Sequence, residues 1–412
     1  MTLKINRPTQ AIIRLDHLEH NFHYLGKLAG EVSTAFFYCP MVKANAYGHG
    51  DVAVALKLQE IGAHHLGVGL IEEGVLLRQN GVQIPLIFFG KFTVSDLPDI
   101  FNYKLTPVMS DWQQLRETAD WVCDHIKDFH ANPFNIHIKF DTGMHRLGFP
   151  LDQASEVSEF LKQNSQLWLE GVLTHLHSAE DLRATLTRQV GTNDVHATAL
   201  TSAASTSMQQ LLKFQQIQKY FTRWTPFYHS LNSAGILNFY SQTDFFQQQG
   251  LSLQGIRPGL ALYGVDPFHQ ANSSLKPVMS LVSRVVHFVK VPKGETVSYG
   301  GTWTAARDSW IGVIPMGYAD GYHRLLSNKS QVLIHGKKFP QVGQVCMDYF
   351  MVDLTESATT ESERQQLLAA EVVLLGQSLQ QEITAWDLAK HANTIAWEVL
   401  TSIGERVPRK VV

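Results

Sequence analysis

Through about residue 265, buried-strand and amphipathic-helix signals alternate along the chain, and this rhythm limits the possible folds more than any other feature. Short apolar runs fall near residues 35–42, 65–69, 85–90, 104–109, 134–140, 168–175, 226–231 and 251–256. Such runs suit strands covered on both faces, as parallel strands are. Helix-like stretches separate most of them, among them Ile71 to Arg78, Asp111 to Ile126 and Leu151 to Leu161. Eight strand-helix units in succession predict a closed, TIM-like α/β barrel of eight parallel strands. An open doubly wound sheet is the competing architecture, but its Gly-x-Gly-x-x-Gly turn after the first strand is absent. Ahead of the first unit, Ala11 to Leu15 leads into Asp16 and a helix with Leu18, Phe22 and Leu25 on one face.

The pattern changes from about Pro277. Strand-like runs then follow quickly: Ser283 to Val291, Trp310 to Ile314, Gln331 to Ile334, Phe339 to Val345, Phe350 to Leu354 and Val372 to Leu375. Glycine-containing turns such as Pro292-Lys293-Gly294 separate several of them, which predicts a mostly antiparallel β domain. Helical material from Ala385 to Ile403 closes it. The expected division is a barrel domain over 1–270 and a β-rich domain over 271–412. Residues 182–208, rich in Ala, Thr and Ser, break the barrel rhythm and read as a disordered loop or a loosely attached helix.

At 412 residues the chain is too long for one ordinary core. A net charge of −3, with both signs scattered, leaves no basic stripe to track phosphates, so no nucleic-acid partner is expected. Met1 to Pro8 lacks a signal-peptide core, and runs such as Ile84 to Phe89 are too short to span a membrane. Cys39, Cys123 and Cys346 form neither a disulfide framework nor a metal cluster, and the histidines supply no recurring ligand spacing. A soluble, cytoplasmic protein without a metal is expected.

The chemistry concentrates where the strands end. Lys43 follows the first strand, in Met41-Val42-Lys43-Ala44-Asn45-Ala46-Tyr47-Gly48-His49-Gly50. A lysine there is either a snorkelling surface residue or an amine desolvated for Schiff-base chemistry. Lys139, Asp141 and Arg146 end strand five, His175 and His177 strand six, Asn232 and Ser233 strand seven, and Arg257 to Gly259 strand eight. Parallel barrels build their sites on that face and hold phosphate after strands seven and eight, where Ser233 and Gly259 offer donors. A phosphorylated ligand beside a lysine amine points to pyridoxal 5'-phosphate.

On these residues the chain resembles the alanine racemases. Val42 to Gly50 is similar to their cofactor-lysine motif. Lys139 to Gly148, Arg257-Pro258-Gly259, Val297-Ser298-Tyr299-Gly300, Gly317-Tyr318-Ala319-Asp320-Gly321 and Val345-Cys346-Met347-Asp348 also match, in order, nearly end to end. The resemblance implies a PLP-dependent racemase interconverting L- and D-alanine, supplying D-alanine for peptidoglycan, as a head-to-tail homodimer with shared sites. Lys43 would carry the cofactor and act as base on one face of the substrate carbon, and Tyr299 of the partner chain would serve the other. Two groups are needed because the proton leaves one side of a flattened carbon and returns to the opposite side. Tyr47, Ser233, Gly259 and the residue after it would hold the phosphate, beside Asn232. Arg257 would face the cofactor's ring nitrogen and interact with His175. Arginine does not give up its proton, so that nitrogen stays unprotonated and the ring remains a weak electron sink. Arg146 and Met347 would bind the substrate carboxylate, and Lys139 would carry a carbamate beside Arg146.

Two departures bear on specificity. Trp397 stands where the family carries tyrosine, and Gln344 where arginine is common; Tyr318 and Arg324 remain in the entry corridor with Trp397. Substrate breadth therefore stays open, with a broader amino-acid racemase of the same fold as one alternative. A barrel-type PLP decarboxylase is the other, and it would place a carboxylate where Arg257 stands.

Overall fold

The computed structural model describes residues 7–30, 36–125, 133–180, 206–240, 255–268 and 274–412. Seven strands form one parallel sheet in chain order: β2 (Leu66–Val68), β3 (Leu86–Phe88), β4 (Leu105–Met109), β5 (Phe134–Lys139), β6 (Leu167–Leu173), β7 (Phe227–Leu231) and β8 (Gly255–Ile256). The eighth position is filled by the segment before Lys43. Tyr38 bridges Ile256 and Met41 bridges Gly67, both in parallel sense, so residues 37–42 close the barrel between β8 and β2. The expected eight-fold barrel is therefore present, its first strand reduced to bridges because Pro40 removes a ladder donor.

Helices cover the barrel where local sequence favours them. Asp111 accepts from Gln114 N at 2.9 Å and starts the helix Trp112–Asp124. That helix buries Leu115, Ala119 and Val122, one face of a 3.6-residue period. Ile71–Gln79 and Ala154–Gln163 cover neighbouring strands in the same way. Inside the barrel, Phe37, Cys39, Ile87, Val108 and Leu173 form a separate apolar cluster, so the lumen is packed rather than open.

The second region is antiparallel, as expected, but its sheet includes a strand from the other end of the chain. Its main strands are β9 (Met279–Ser283), β10 (His287–Val291), β13 (Ser309–Ile314), β14 (Gln331–Ile334), β15 (Lys337–Val342), β16 (Phe350–Asp353), β17 (Val372–Ser378) and β19 (Arg409–Val411); β11 (Thr296–Val297) and β12 (Trp303–Thr304) pair with each other, and β18 (Gln381–Ile383) pairs with β17. The first strand of the chain, β1 (Gln10–Ile13), lies between β9, antiparallel, and β19, parallel. The amino terminus thus crosses to the carboxyl-terminal sheet before the barrel begins. Ser283 to Val291, expected as one strand, instead holds the last residue of β9, a break at 284–286 and all of β10. β9 pairs with β1 and β17 and β10 with β13, and one straight strand cannot join two separated parts of a sheet. The expected boundary near residue 270 and most of the 182–208 segment lie outside the described residues; 206–208 open the helix Thr206–Gln218. No helix among the described residues is long and apolar enough to cross a membrane.

Candidate active site

A cavity of about 570 Å³ opens at the carboxyl ends of the barrel strands, within the size range of cofactor sites. It gathers Lys43, Tyr47, Lys139, Arg146, His175 and His177 with Asn232, Ser233, Arg257 and Gly259. Trp397 and Thr401, from the carboxyl-terminal region, complete its wall.

Lys43 leaves the barrel at an unusual turn. Where the sequence suggested an ordinary loop, Ala44, Asn45, Ala46 and Tyr47 all take left-handed backbone angles, with φ between 51° and 54°. Each costs about 1–2 kcal/mol in L-residues, so the turn persists only because its surroundings hold it. Glu73 accepts Ala44 N at 2.6 Å and also Gly69 N at 2.7 Å and Leu70 N at 3.1 Å, joining two loops through one carboxylate. Asn45 Oδ1 accepts Asp51 N at 2.9 Å, at the start of the helix Asp51–Glu60. From the other side Arg409 Nε donates to the Gly48 carbonyl at 3.0 Å. Gly48 is required there, since a Cβ would overlap the Leu400 carbonyl oxygen. The lysine turn is thus clamped between the barrel and the carboxyl-terminal helix Ala396–Thr401.

Also lining the cavity, Ser233 and Asn232 open the helix Ser233–Tyr240, whose Gly235 N donates to Asn232 Oδ1 at 3.0 Å. Ser233 Oγ accepts both Gly259 N and Ala261 N at 3.1 Å. Tyr47 packs directly on Gly259 and stacks on Tyr263 at 5.0 Å between ring centroids. The Tyr47 and Ser233 hydroxyls and a helix amino terminus therefore converge on one corner, a donor set that suits an anion.

The remaining wall is cationic. Burial lowers the Lys43 pKa, aided by Arg146 and Arg257 and opposed by Glu73. Lys139, nearly buried, is brought down to about 8 by burial first and by Arg146 and Arg257 next. Arg257 is pulled by burial to about 10 and remains charged at neutral pH. Its Nη1 donates to His229 Nδ1 at 2.6 Å and to the His229 carbonyl at 2.8 Å; Nη2 donates to the Thr174 carbonyl at 2.7 Å. No hydrogen bond joins Arg257 to His175, whose expected link is electrostatic only: the guanidinium bonds the backbone one residue earlier and a histidine of the next strand. His175 is instead held well below the ordinary imidazole range by burial, Arg257, Lys139, Arg146 and Lys43. Asp141 accepts Gly143 N at 2.8 Å and shapes the loop that carries Arg146.

Four expected residues lie away from this cavity. Tyr299, Met347, Tyr318 and Arg324 are exposed, Tyr299 at 72%. Their loops are tied together: Tyr318 N donates to the Cys346 carbonyl at 3.0 Å, Ala319 N to the Met347 carbonyl at 3.1 Å, and Ser298 Oγ to the Gln344 carbonyl at 2.8 Å. Trp397 lines the cavity and meets Trp386 edge-on at 5.7 Å. Sequence reading missed Glu73 and His229. Alternation along β5 was the available clue to a third, because His137 lies two residues from Lys139 and so faces the same way.

Residues 13–267 match the family model described as "Alanine racemase, N-terminal domain", and residues 278–411 match "Alanine racemase, C-terminal domain". The chain is 35% identical over 415 residues to the alanine racemase of Halothermothrix orenii, covering 100% of this chain and 98% of that one. It superposes on alanine racemase of Clostridium difficile 630 with a TM-score of 0.82 and 29% identity, over 99% and 97% of the two chains. Against the alanine racemase of Bartonella henselae with covalently bound pyridoxal phosphate, the TM-score is 0.78 and the identity 26%, over 98% and 99%.

Proposed function

The chain belongs to the alanine racemase family, and from that membership we infer that it is an isomerase interconverting L- and D-alanine with pyridoxal 5'-phosphate as cofactor. The observation that carries the reading is the cavity itself. An amine of lowered pKa, an anion-binding corner and a buried arginine line the same cavity. The donor set fits the cofactor: the Tyr47 and Ser233 hydroxyls suit its phosphate, and Gly259 leaves the room for it, since a Cβ there would overlap Tyr47 Oη. Bound there, pyridoxal phosphate supplies an aldehyde that joins an amine and a ring that draws electrons from the bond to the α-hydrogen.

The residues divide the remaining work. Lys43, desolvated and surrounded by Arg146 and Arg257, is an amine that releases its proton readily, so it takes or returns the α-proton on one face. Tyr299 serves the other face from a second chain, which its exposure outside its own cavity supports. Arg257, locked by three hydrogen bonds, presents guanidinium N–H groups to the ring nitrogen and never yields a proton to it. That disfavours the decarboxylase alternative. Arg146 and the partner's Met347 amide hold the substrate carboxylate. Lys139, brought down from 10.5 to about 8, offers far more of the neutral amine that carbon dioxide requires than an ordinary lysine, and its carbamate would offset the positive charge of Arg146.

A head-to-tail homodimer completes the site. Tyr299, Tyr318, Met347 and Tyr349 expose apolar surface on loops held rigid by backbone hydrogen bonds, as a docking face does. Tyr318, Arg324 and Trp397 then form the entry corridor. The barrel extends to about residue 270 and the β-rich domain beyond it, a division supported by the change from parallel to antiparallel pairing. The product serves peptidoglycan synthesis, and the cytoplasm is the compartment where that alanine is met.

Incubating the protein and pyridoxal phosphate with L-alanine in deuterated water tests the reading. D-alanine carrying deuterium at the α-carbon is expected. Exchange with retained configuration, or release of carbon dioxide, would overturn it.

A further inference from the structure

We propose that Glu170 is a positioning residue for Arg257, acting through His137 and His229 as a buried relay across the barrel interior. The inference rests on the assignment of Arg257 to the cofactor's ring nitrogen. Arg257 Nη1 donates to His229 Nδ1 at 2.6 Å. A guanidinium has only donors, so Nδ1 accepts and the His229 proton sits on Nε2. That Nε2 lies 2.9 Å from His137 Nδ1, which must therefore accept. The His137 proton is then on Nε2, 3.4 Å from Glu170 Oε2 in a charge contact not aligned as a hydrogen bond; both atoms are buried and neither makes a hydrogen bond elsewhere. Every donor points the same way, from guanidinium to carboxylate. On the far side of that carboxylate, His65 Nε2 stands 3.9 Å from Oε1.

The strands are built around this row. A Cβ on Gly171 would overlap His137 Nδ1, and one on Gly255 would come within 2.8 Å of the His229 Cβ. Phe37 stacks on His229 with ring centroids 4.1 Å apart. The pairing of β5 with β6 shifts register between Ile136 and His137, whose partners are Leu169 and Gly171. Glu170 is the extra residue, and a bulge of this kind re-aims a side chain. His137 and His229 are fully buried, and burial drives both below the ordinary imidazole range, which favours one proton on each ring.

The relay fixes what Arg257 can offer. Three of its five N–H groups are committed, two to His229 and one to the Thr174 carbonyl, which leaves one on Nη2 and the one on Nε. With the His229 proton on Nδ1 instead, two donors would face each other and the guanidinium would be displaced. Glu170 prevents this by favouring the tautomer order that begins at His137.

Selective ¹⁵N-histidine labelling, with resonances assigned by single substitutions, tests the relay in cofactor-free and loaded protein. His137 and His229 are expected to be protonated on Nε2 and bare on Nδ1 between about pH 6 and 8. A proton on Nδ1 of either ring, or on both nitrogens, overturns the proposal. Glu170→Met is expected to move the proton to Nδ1 on at least one ring. It should raise the cofactor dissociation constant and lower kcat by about tenfold or more, with KM for alanine changed less than about twofold. Glu170→Gln keeps an acceptor and should keep the tautomers, with a smaller fall in kcat. A fall in kcat for Glu170→Met with unaltered tautomers marks a merely structural effect and overturns the proposal. Failure of the wild-type chain to bind pyridoxal phosphate would sink the racemase reading, whereas the imidazole spectra of cofactor-free protein judge the relay alone.

Discussion

Replacing Gly259 by alanine isolates the contact on which the phosphate corner depends. The backbone there, at φ −113°, is outside the left-handed region, and the clash is one of space around the new Cβ. The new Cβ would overlap Tyr47 Oη and stand 2.7 Å from Cζ and 3.3 Å from Cε1. Tyr47 cannot simply withdraw. Its ring is stacked on Tyr263, whose hydroxyl donates to the Met41 carbonyl at 2.9 Å, and its own backbone lies in the left-handed turn. Overpacking of this kind costs about 1–3 kcal/mol. If the hydroxyl swings away instead, it loses a hydrogen bond to a charged phosphate, worth about 1.5–3 kcal/mol, or roughly 10- to 150-fold in cofactor affinity. Titrating cofactor-stripped protein with pyridoxal phosphate, followed by visible absorbance, measures that loss. Tyr47→Phe should weaken binding comparably. In the Tyr47→Phe background, Gly259→Ala should add less than half of its effect, because the closest atom is gone. Additive losses, or wild-type binding by Gly259→Ala, would refute the reasoning.

Other outcomes follow from single residues. Lys139 is held at about 8 against an ordinary 10.5, so the unfolded chain binds more protons between those values and stability rises with pH across that window. In carbon-dioxide-free buffer Lys139→Met should remove up to about 3 kcal/mol of that rise, read by urea unfolding at a series of pH values. Asp320, fully buried, accepts Arg7 Nη1 and Nη2 at 2.8 and 2.6 Å and Gly317 N at 3.0 Å. Asp320→Ala should lower unfolding stability by about 3 kcal/mol, and a loss under 1 kcal/mol would show that the pair matters little. Glu73→Ala frees the amides of Ala44, Gly69 and Leu70, of which water can reach some. A loss of about 1–2 kcal/mol in stability is expected, with weaker cofactor binding that Glu73→Gln partly restores.

Much of this was legible because barrel strands are short apolar runs whose ends carry the chemistry. Lys43, Lys139, Ser233, Arg257 and Gly259 stood out by position before any contact was known, and the structure gathers them in one cavity. The motif resemblance, rather than composition or periodicity, supplied the roles of Tyr299 and Met347, because their exposure within one chain gives no local hint of a site. The left-handed turn at 44–47 was hidden because Ala and Tyr do not prefer that conformation and a single Asn marks at most one such residue, while distant partners such as Arg409 hold it. Long-range pairing hid the placement of β1, since an apolar strand looks the same beside β9 as it would in the barrel. His137 and Glu170 were invisible for a related reason: they meet across two strands, at a bulge that no repeat announces.

Subunit mixing addresses the shared site most directly. Lys43→Ala and Tyr299→Phe proteins, each expected to be nearly inactive alone, are exchanged into mixed dimers through separate affinity tags. If each site takes its lysine from one chain and its tyrosine from the other, every mixed dimer holds one intact site, and a random mixture regains about a quarter of wild-type racemisation. Mixed dimers that form in full yet regain nothing would contradict the account.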